Sequence, residues 1–411
     1  MQMIQPNKCR REFELVIIGG GCSGLSLALA LCRLADKPDL IPRTLIIEPR
    51  PCYTNDRSWC YWEKEDKKDS YLVKKKWHAW EFSSNSRSYR QASKHGWKYH
   101  YVPAITFYKS AERNISLNPN LTLLKDSRVA DVNLQDNHIE ILVENCTVEN
   151  SIQTVKVTAK QIVDTRIPDN VDVSSAVLKQ IFFGFEVVMS KSHRFPDVAR
   201  VMENMRVDEK GFAFDYVLPI DSNSILVEFT RFAKKSLSPE SLRKDAMESL
   251  RRVCGGSGYH IVREEYGMIP MGLRGKLKPK DPRWVYTGLG VGAARPSTGY
   301  AFKRIQNWAD RCAEKILEGG NVHGFLPDNS LLMWMDKVFL RAIANNPAIA
   351  PQFFLSLAHK VSPESLLRFL TDKPTTRDLI SIMLALPKLS LFHSALVEIY
   401  HEIRALNWSL A

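Results

Sequence analysis

The 411-residue sequence contains no uncharged hydrophobic run near the roughly 20 residues that a membrane-spanning helix needs. Its opening residues, MQMIQPNKCRRE, lack the apolar segment of a signal peptide. The eight cysteines include no Cys-x-x-Cys pair, and the ten histidines show no metal-ligand spacing with them. These absences argue against a membrane-spanning, secreted or metal-binding protein. They predict reduced thiols in a cytoplasmic protein whose contact with a membrane is peripheral.

The charge of the chain is strongly one-sided. Lys and Arg outnumber Asp and Glu by 57 to 45, which gives a net charge of +12. This excess favours an anionic partner such as a phosphate cofactor or an acidic membrane surface, and a solvated basic surface is the alternative. No RNA- or DNA-binding motif accompanies the charge, so we predict no nucleic-acid partner. Hydrophobic residues at 45% and charged residues at 25% are typical of a globular protein.

The segment FELVIIGGGCSGLSLALALCRLA predicts a buried strand over 14–18, a tight turn and a helix beginning near Cys22. Three glycines with G-x-G-x-x-G spacing allow the turn, the approach of a pyrophosphate and close helix packing: Gly19, Gly21 and Gly24. A second apolar strand, RTLIIE, ends on Glu48, whose carboxylate suits the ribose hydroxyls of an adenosine. We therefore predict dinucleotide binding, with a purely structural turn as the alternative.

Two later segments extend this predicted site. The strand in QIVDTR ends at Asp164, and residues 283–317 predict a strand, a loop containing Gly288 and Gly290, and a long helix. The wide spread of these pieces resembles FAD-binding proteins of the para-hydroxybenzoate hydroxylase type. That resemblance implies an α/β fold with a Rossmann-like FAD-binding domain, whose late loop holds the ribityl-phosphate and flavin. Many of those hydroxylases have Gly-Asp where this chain has Gly288-Leu289.

The loop ARPSTGYAF (294–302) resembles the H-P-[ST]-T-G-Y segment of flavin-dependent lycopene cyclases. NDRSWCYW (55–62) stands where the bacterial enzymes have an N-H-x-W-type segment, and the similarity continues through GFEV, FAFDYVLPIDSNSILVEFT and REEYGMIPM. It covers the chain from Phe13 to about Ile399 in matching order. The resemblance implies cofactor contacts from three residues of the loop 294–302: Pro296, Thr298 and Gly299.

The resemblance implies acid-initiated carbocation chemistry without net redox change. The acyclic ψ-ends of lycopene, or of a related polyene, are expected to be protonated and closed to β-rings, giving γ-carotene and β-carotene. The implied cofactor is FAD, active in its reduced form, with NAD(P)H as electron donor. An anionic reduced flavin would stabilise the nearby cation electrostatically. Whether the flavin or a side chain delivers the proton stays open.

Glu228 in SILVEFTRF is the predicted acid. Strand alternation places it on one face with Leu226 and Thr230, and apolar surroundings would raise its pKa enough to keep it protonated. A water-facing glutamate is the alternative, but the position matches the first acidic residue of the family's F-L-E-E-T or I-E-D-T segment. The resemblance therefore favours a general acid.

This sequence departs from the family at two positions: Arg295 replaces His before the Pro-Ser-Thr-Gly-Tyr segment, and Phe229 replaces the second acidic residue. The second departure puts in doubt any mechanism that uses two adjacent carboxylates. Glu203 in RVMENMRV or Glu186 in FGFEV is expected to supply the missing carboxyl in space. Structural roles for both are the alternative.

The aromatic cluster behind Glu48 is predicted to wall the flavin and substrate cavity, where π-faces stabilise a cation. Its members are Tyr53, Trp59, Tyr61 and Trp62. Ordinary core packing is expected to account for part of the cluster. Arg50 and Arg57 are predicted to contact phosphate or the flavin ring.

We predict a discontinuous FAD-binding domain, an inserted antiparallel-sheet substrate domain and a C-terminal helical region. The first comprises 13–55, 90–175 and 283–320, the second 56–89 and 176–282, and the third 321–411. Apolar periodicity in SLLMWMDKVFLRAI, APQFFLSLAHKV, PESLLRFL and TTRDLISIMLAL predicts the helices. Their density of large apolar residues predicts docking to a membrane surface, with core packing as the alternative. The sequence does not indicate an oligomeric state.

Three rival functions remain at this point: a cyclase of the same mechanism acting on another isoprenoid chain, a flavin-dependent monooxygenase, and a non-catalytic carotenoid or lipid carrier. Phe229 motivates the first, and Leu289 argues against the second.

Overall fold

The computed structural model describes residues 11–64, 70–85, 87–146, 152–193, 197–273 and 281–409. Its strands, in chain order, are β1 (Glu12–Ile18), β2 (Thr44–Ile47), β3 (Ser58–Lys64), β4 (Lys75–Trp77), β5 (Ala79–Ser84), β6 (Arg87–Ala92), β7 (Trp97–Pro103), β8 (Leu121–Leu124), β9 (Ser127–Leu134), β10 (Ile139–Cys146), β11 (Ile152–Asp164), β12 (Leu178–Met189), β13 (Ala199–Asp208), β14 (Gly211–Pro219), β15 (Ser224–Ala233), β16 (Tyr259–Met271) and β17 (Trp284–Tyr286). Its helices are α1 (Cys22–Leu34), α2 (Ala104–Ser116), α3 (Pro239–Cys254), α4 (Phe302–Leu317), α5 (Ser330–Asn345), α6 (Ala350–Lys360), α7 (Pro363–Leu370), α8 (Thr376–Ala385) and α9 (Lys388–Ser409).

The first sheet has the order β8-β2-β1-β11-β10-β9, and β17 also pairs with β11. Strands β8, β2, β1, β11 and β17 pair in parallel, whereas β11, β10 and β9 pair antiparallel. Helices α1, α2 and α4 cover one face of β1, and side chains of β10 and β11 pack with its other face. Burial on both faces explains the unbroken apolar runs of β1 and β2. The strand and helix predicted around the glycine turn are confirmed.

The second sheet has the order β16-β12-β15-β14-β13-β5-β6. Its pairs are antiparallel except for the parallel pair β5–β13. Helix α3 packs on one face. The other face is covered by the C-terminal helices and by a small sheet of order β3-β7-β4. A Rossmann-like domain with an inserted, largely antiparallel sheet and C-terminal helices is therefore the observed fold class, as predicted.

Two features of the strands differ from expectation. The predicted boundary at 89/90 falls inside β6, because β6 pairs with β5 in the second sheet. The strand predicted near Asp164 is the last part of the much longer β11, whose first half pairs antiparallel with β10. The four helices predicted from apolar periodicity in the C-terminal region are present as α5 to α8. Within the part of the chain that the structure describes, no helix has the length and hydropathy to cross a bilayer.

Candidate active site

The glycine turn between β1 and α1 is built as its spacing predicts. Gly19 has a φ of +98° and donates its N–H to the carbonyl of Ile47 at 2.8 Å. A Cβ on Gly24 would lie 2.0 Å from the Gly19 carbonyl oxygen, so helix and turn touch only because Gly24 has none. A Cβ on Gly21 would meet no atom within 4 Å. Open space therefore lies in front of Gly21, where a pyrophosphate would approach the backbone.

The N-termini of α1 and α4 both suit phosphate. Neither has a side-chain cap or an acidic residue in its first turn. Their first backbone N–H groups are therefore left to bind an anion, which the helix dipole also favours.

Glu48 lies at the end of β2 with 3% exposure. Its carboxylate accepts hydrogen bonds from the Gly20 N–H at 2.8 Å and from the Arg50 Nε at 2.7 Å. The Arg50 guanidinium lies 4.9 Å from the ring centroid of Tyr53 and 5.1 Å from that of Tyr108. Arg50 also donates from Nη2 to the Gly20 carbonyl at 3.3 Å, so it links the Glu48 carboxylate to the glycine turn, and its predicted contact with phosphate or flavin stays a prediction.

Arg57 is the second arginine expected near the cofactor. It is exposed, and its charge acts on the half-buried Cys22 thiol at the N-terminus of α1. Burial raises the pKa of Cys22 to about 12, and the Arg57 charge opposes that rise. Arg57 is therefore close to the uncapped helix end that suits a phosphate.

The second half of the cofactor region is centred on Asp164, which is fully buried at the end of β11. Its carboxylate accepts from the Arg166 backbone N–H at 3.0 Å and from Nη2 at 2.7 Å. Its carbonyl accepts from the Thr287 N–H at 2.8 Å, which brings the loop with Gly288 and Gly290 against β11. Gly288 has a φ of +100°, so this position favours glycine. The Thr287 hydroxyl is buried without a hydrogen-bond partner among the described residues.

The loop 295–300 follows and is closed by a hydrogen bond from the Arg295 N–H to the Tyr300 carbonyl at 3.0 Å. Pro296 and Thr298 lie within it, and Gly299 has a φ of +71°. A Cβ on Gly299 would lie 2.7 Å from Oε1 of Gln180 on β12. The loop therefore touches the second sheet closely.

These observations together test whether the chain fits FAD. Open space lies at Gly21 and at Gly292, two helix N-termini are uncapped, and a buried carboxylate ends β2. The unpartnered Thr287 hydroxyl lies beside the second glycine loop. The residues present fit a dinucleotide of this kind.

The predicted acid, Glu228, lies on β15 opposite Gly184 of β12, and Gly184 lies opposite Glu265 of β16. A Cβ on Gly184 would be 3.1 Å from Cγ of Glu265 and 3.3 Å from Cβ of Glu228. The glycine therefore lets two carboxyl side chains lie next to each other across three strands.

Glu265 is held by a buried ion pair. Arg263, with a side chain 8% exposed, donates from Nη1 to Glu265 Oε2 at 2.7 Å and from Nε to Glu186 Oε2 at 3.0 Å. Glu186 also accepts from Tyr101 and from Lys74, each at 3.5 Å. The structure thus brings Glu186 and Glu228 to one face of the second sheet, linked through Arg263 and Glu265.

Burial raises the pKa of Glu228 well above its usual range, and the Glu265 charge raises it further. The Thr230 hydroxyl, which donates to Glu228 Oε1 at 2.9 Å, opposes this shift. Burial also raises the pKa of Glu265 against the opposing effect of Arg263. Glu228 has intermediate exposure, so part of its side chain faces a solvent-accessible cleft. Its raised pKa favours the neutral, protonated acid.

Three tyrosines connect the acid to the cofactor loop. Tyr300 of the loop is hydrogen-bonded to Tyr99 and Tyr216. Tyr216 is the cross-strand neighbour of Glu228. The charges of both carboxyls act on the half-buried Cys60 thiol, and desolvation raises its pKa. The loop 295–300 and the carboxyl pair are therefore adjacent.

The aromatic cluster divides between two environments. The Trp62 ring meets Tyr300 edge-on at 5.2 Å and lies 4.5 Å from Tyr99. Trp59 and Tyr61 stack on Phe302 at the start of α4, at 5.2 and 5.4 Å. Trp62 is thus next to the tyrosine group, while Trp59 and Tyr61 are part of the core beside α4.

The structure does not bring Glu203 to Glu228. Glu203 pairs with Arg200 and Arg252 at 3.2 Å each, on the α3 side of the second sheet. The carboxyl that lies beside the acid is Glu265, which we did not predict. The signal was present in REEYGMIPM, where Arg263 and Glu265 alternate along one strand face.

A sequence model of the family described as "Lycopene cyclase protein" matches residues 14–396. The chain belongs to the lycopene cyclase family. A lycopene beta-cyclase of Pantoea ananas is 22% identical over 394 residues, covering 92% of this chain and 95% of the relative.

Solved structures extend the likeness of this lycopene cyclase family member at the level of fold. A geranylgeranyl bacteriochlorophyll reductase-like protein from Thermoplasma acidophilum has a TM-score of 0.58 and 13% identity, covering 91% of this chain and 96% of that one. A variant of the halogenase PltM in complex with FAD has a TM-score of 0.51 and 11% identity, covering 87% of this chain and 78% of that one. At these identities the comparison shows a shared fold.

Proposed function

We propose that this chain cyclises the acyclic ψ-ends of lycopene to β-rings, forming γ-carotene and then β-carotene without net redox change. Family membership and the curated relatives' names support the substrate. The observation that carries the mechanism is Glu228, a carboxyl whose pKa is raised well above its usual range beside the cofactor loop. An alkene is a weak base, so its protonation needs an acid that stays neutral in a site shielded from water.

The reaction balances in protons. Glu228 gives its proton to the terminal double bond of the ψ-end, which forms a C–H bond and a tertiary cation. Attack by a double bond further along the chain forms the C–C bond of the six-membered ring. A proton then leaves a ring carbon to restore a double bond, so no electrons are gained or lost. Tyr216, the cross-strand neighbour of Glu228, is hydrogen-bonded to Tyr300, whose ring meets that of Trp62, and these rings would stabilise the cation.

FAD in its reduced, anionic form, kept reduced by NAD(P)H, would supply negative charge beside the cation. Residues of the glycine turn, Glu48 and the uncapped N-terminus of α1 would hold its adenosine and pyrophosphate. Asp164, Thr287 and the loops at Gly288 and Gly299 would hold the rest.

We also propose that α8 and α9 dock on a membrane surface, where the apolar substrate is dissolved. Seven large apolar residues on their outer side are 44 to 90% exposed: Ile380, Met383, Leu384, Leu389, Phe392, Leu396 and Ile399. On the opposite side of α9, Glu398 forms an ion pair with Arg341 of α5. The helix is thus attached by one face and leaves the other unpartnered by described residues, which suits interfacial insertion.

Co-expression with lycopene synthesis, followed by chromatography of the pigments, tests the proposed function. The wild type should convert lycopene to cyclic products, and Glu228→Gln should keep FAD but lose at least about 10²-fold of the turnover, the lower range for general acid catalysis. Glu228→Asp should have a turnover between those of wild type and Glu228→Gln, because the acid is kept but its side chain is shorter by one methylene. Oxygen-dependent NAD(P)H consumption with a hydroxylated product would instead indicate a monooxygenase, and lycopene binding without turnover a carrier.

Vesicle flotation tests the docking face. Binding should persist at a few hundred millimolar salt, since apolar insertion is not screened, and Leu389→Glu with Phe392→Glu should abolish it. The double variant should still turn over detergent-dispersed lycopene. Complete release of the wild type by salt would show that the contact is electrostatic.

A further inference from the structure

Glu228 and Glu265 are neighbours because β12 has no side chain at position 184. Both glutamates lie opposite Gly184 in the strand register, one on each side. A methyl group at this position would contact both, at 3.3 Å from Glu228 Cβ and 3.1 Å from Glu265 Cγ. The adjacent carboxyl that Phe229 does not provide in sequence is thus provided by a different strand.

The hydrogen bonds around the pair lack one donor. Oε2 of Glu265 accepts from Arg263 at 2.7 Å, and Oε1 of Glu228 accepts from Thr230 at 2.9 Å. Oε1 of Glu265 is buried and has no partner within hydrogen-bond distance among the described residues, although the nearby Ser58 hydroxyl, which accepts from Arg263, lowers the Glu265 pKa. Ionised carboxylates only accept, so the neighbouring Glu228 can satisfy this oxygen only if it carries a proton.

The charges around the pair also limit it to one negative charge. Arg263 is 8% exposed in its side chain and already pairs with two carboxylates, Glu186 and Glu265. Lys74, 45% exposed, lies 3.5 Å from Glu186 and adds a partly screened positive charge. A third ionised carboxyl at Glu228 would have no cation of its own. The other titratable groups that act on the pair or its ion pairs are Cys60, Tyr101 and Tyr216.

We propose that Glu265 is a positioning residue that shares a single proton with Glu228, presenting that proton for ring closure and receiving it back afterwards. The proposal rests on the cyclase function proposed above. When Glu228 gives its proton to the ψ-end, two adjacent carboxylates face each other beside a cation. Their repulsion favours return of the proton that leaves the ring carbon, and the pair is restored without any other reactant.

Infrared difference titration of the FAD-loaded protein tests the pair without any substrate. The wild type should keep one carboxylic acid C=O band through neutral pH. Glu265→Gln removes the neighbouring negative charge and frees Arg263, so the Glu228 band should disappear at a pH at least one unit lower, a tenfold change in the protonated fraction. In Glu228→Gln the band should disappear at a lower pH than in wild type, because the remaining carboxyl, Glu265, is paired with Arg263. The band should titrate as in wild type in Glu264→Gln, a matched control on the same strand, since Glu264 pairs with the exposed Arg243.

Cyclisation assays provide the second arm. The alkaline limb of the pH–rate profile should move down by at least one unit in Glu265→Gln and stay in place in Glu265→Asp, which keeps the charge. A purely structural role for Glu265 would lower rates at all pH values without moving the limb, and that result would overturn the proposal. So would a band in Glu228→Gln that titrates as in wild type, which decides the matter even if Glu265→Gln fails to retain FAD. A normal infrared titration in a wild type that does not cyclise lycopene would remove the proposed function and leave the shared proton standing.

Discussion

Replacing Arg295 by Met should destabilise the protein more than almost any other single change in the loop 295–300. Arg295 is 1% exposed and makes two parallel hydrogen bonds to Asp336 of α5, at 2.9 and 3.1 Å. It also donates to the Phe369 carbonyl, and its guanidinium lies 4.2 Å from the Phe369 ring centroid. Through these contacts one residue attaches the loop 295–300 to helices α5 and α7.

The magnitude follows from what the substitution leaves behind. Asp336 is 2% exposed, and without Arg295 it keeps, among the described residues, only the Ser297 hydroxyl at 2.8 Å. An unpaired buried charge of this kind costs about 3 to 5 kcal/mol. Arg295→His, which restores the family residue, should have a stability between those of wild type and Arg295→Met, because an imidazole cannot form both parallel hydrogen bonds to Asp336. Arg295→Met with Asp336→Leu should recover much of the loss, since removing both charges of a buried pair is often neutral.

Urea unfolding followed by circular dichroism measures these differences. Arg243→Met is the matched control, because its pair with Glu264 is similar in geometry but 47% and 38% exposed, where such pairs contribute at most about 1 kcal/mol. Arg295→Met and the control losing equal stability would refute the argument. The same holds if the Arg295, Asp336 double variant is no more stable than the single one.

Two further predictions concern the cofactor turn and the acid. Gly21→Ala should fold as well as wild type yet lose FAD on gel filtration, since its methyl group enters the open space where the pyrophosphate would lie. Gly24→Ala should lose both stability and FAD, because its methyl group would lie 2.0 Å from the Gly19 carbonyl oxygen. Equal melting temperatures for the two flavin-free variants would contradict this. The pKa of Glu228 is raised in the folded state, so its contribution to stability is full below the unfolded pKa and is lost as pH rises through the folded pKa. Melting temperatures should therefore favour Glu228→Gln over wild type increasingly as the pH rises above the unfolded pKa, and a constant difference would show that Glu228 is ionised throughout.

Local sequence patterns correctly predicted the elements around the glycine turn. The G-x-G-x-x-G turn, the strand that ends at Glu48 and the helix at Cys22 depend on residues close in sequence, and all three have the predicted geometry. The ion pair of Arg50 with Glu48, two residues earlier, was not predicted, and its contact with a phosphate or flavin stays a prediction. The carboxyl pair depends on the pairing of β12 with both β15 and β16. The paired residues are more than 30 positions apart in sequence, and no local pattern encodes that register.

Phe229 raised a doubt that strand geometry resolves. Neighbouring residues on a strand point to opposite faces, and Phe229 is 1% exposed on the α3 side, between the guanidinium groups of Arg206 and Arg231 at 5.0 and 5.3 Å from its ring. A carboxyl introduced there would meet those arginines and not the cleft that Glu228 faces.

Phe229→Glu should therefore lower the melting temperature, because a charge replaces a buried ring, while the alkaline limb of the cyclisation profile stays where it is in wild type. Combined with Glu265→Gln, it should fail to restore that limb, since the new carboxyl lies across the sheet from the proton that Glu228 holds. Phe229→Leu is the control that removes the ring without adding charge. If Phe229→Glu restored the pH–rate profile of Glu265→Gln, the carboxyl at position 229 would have to reach Glu228. The second carboxyl of the site could then come from β15 and not from β16.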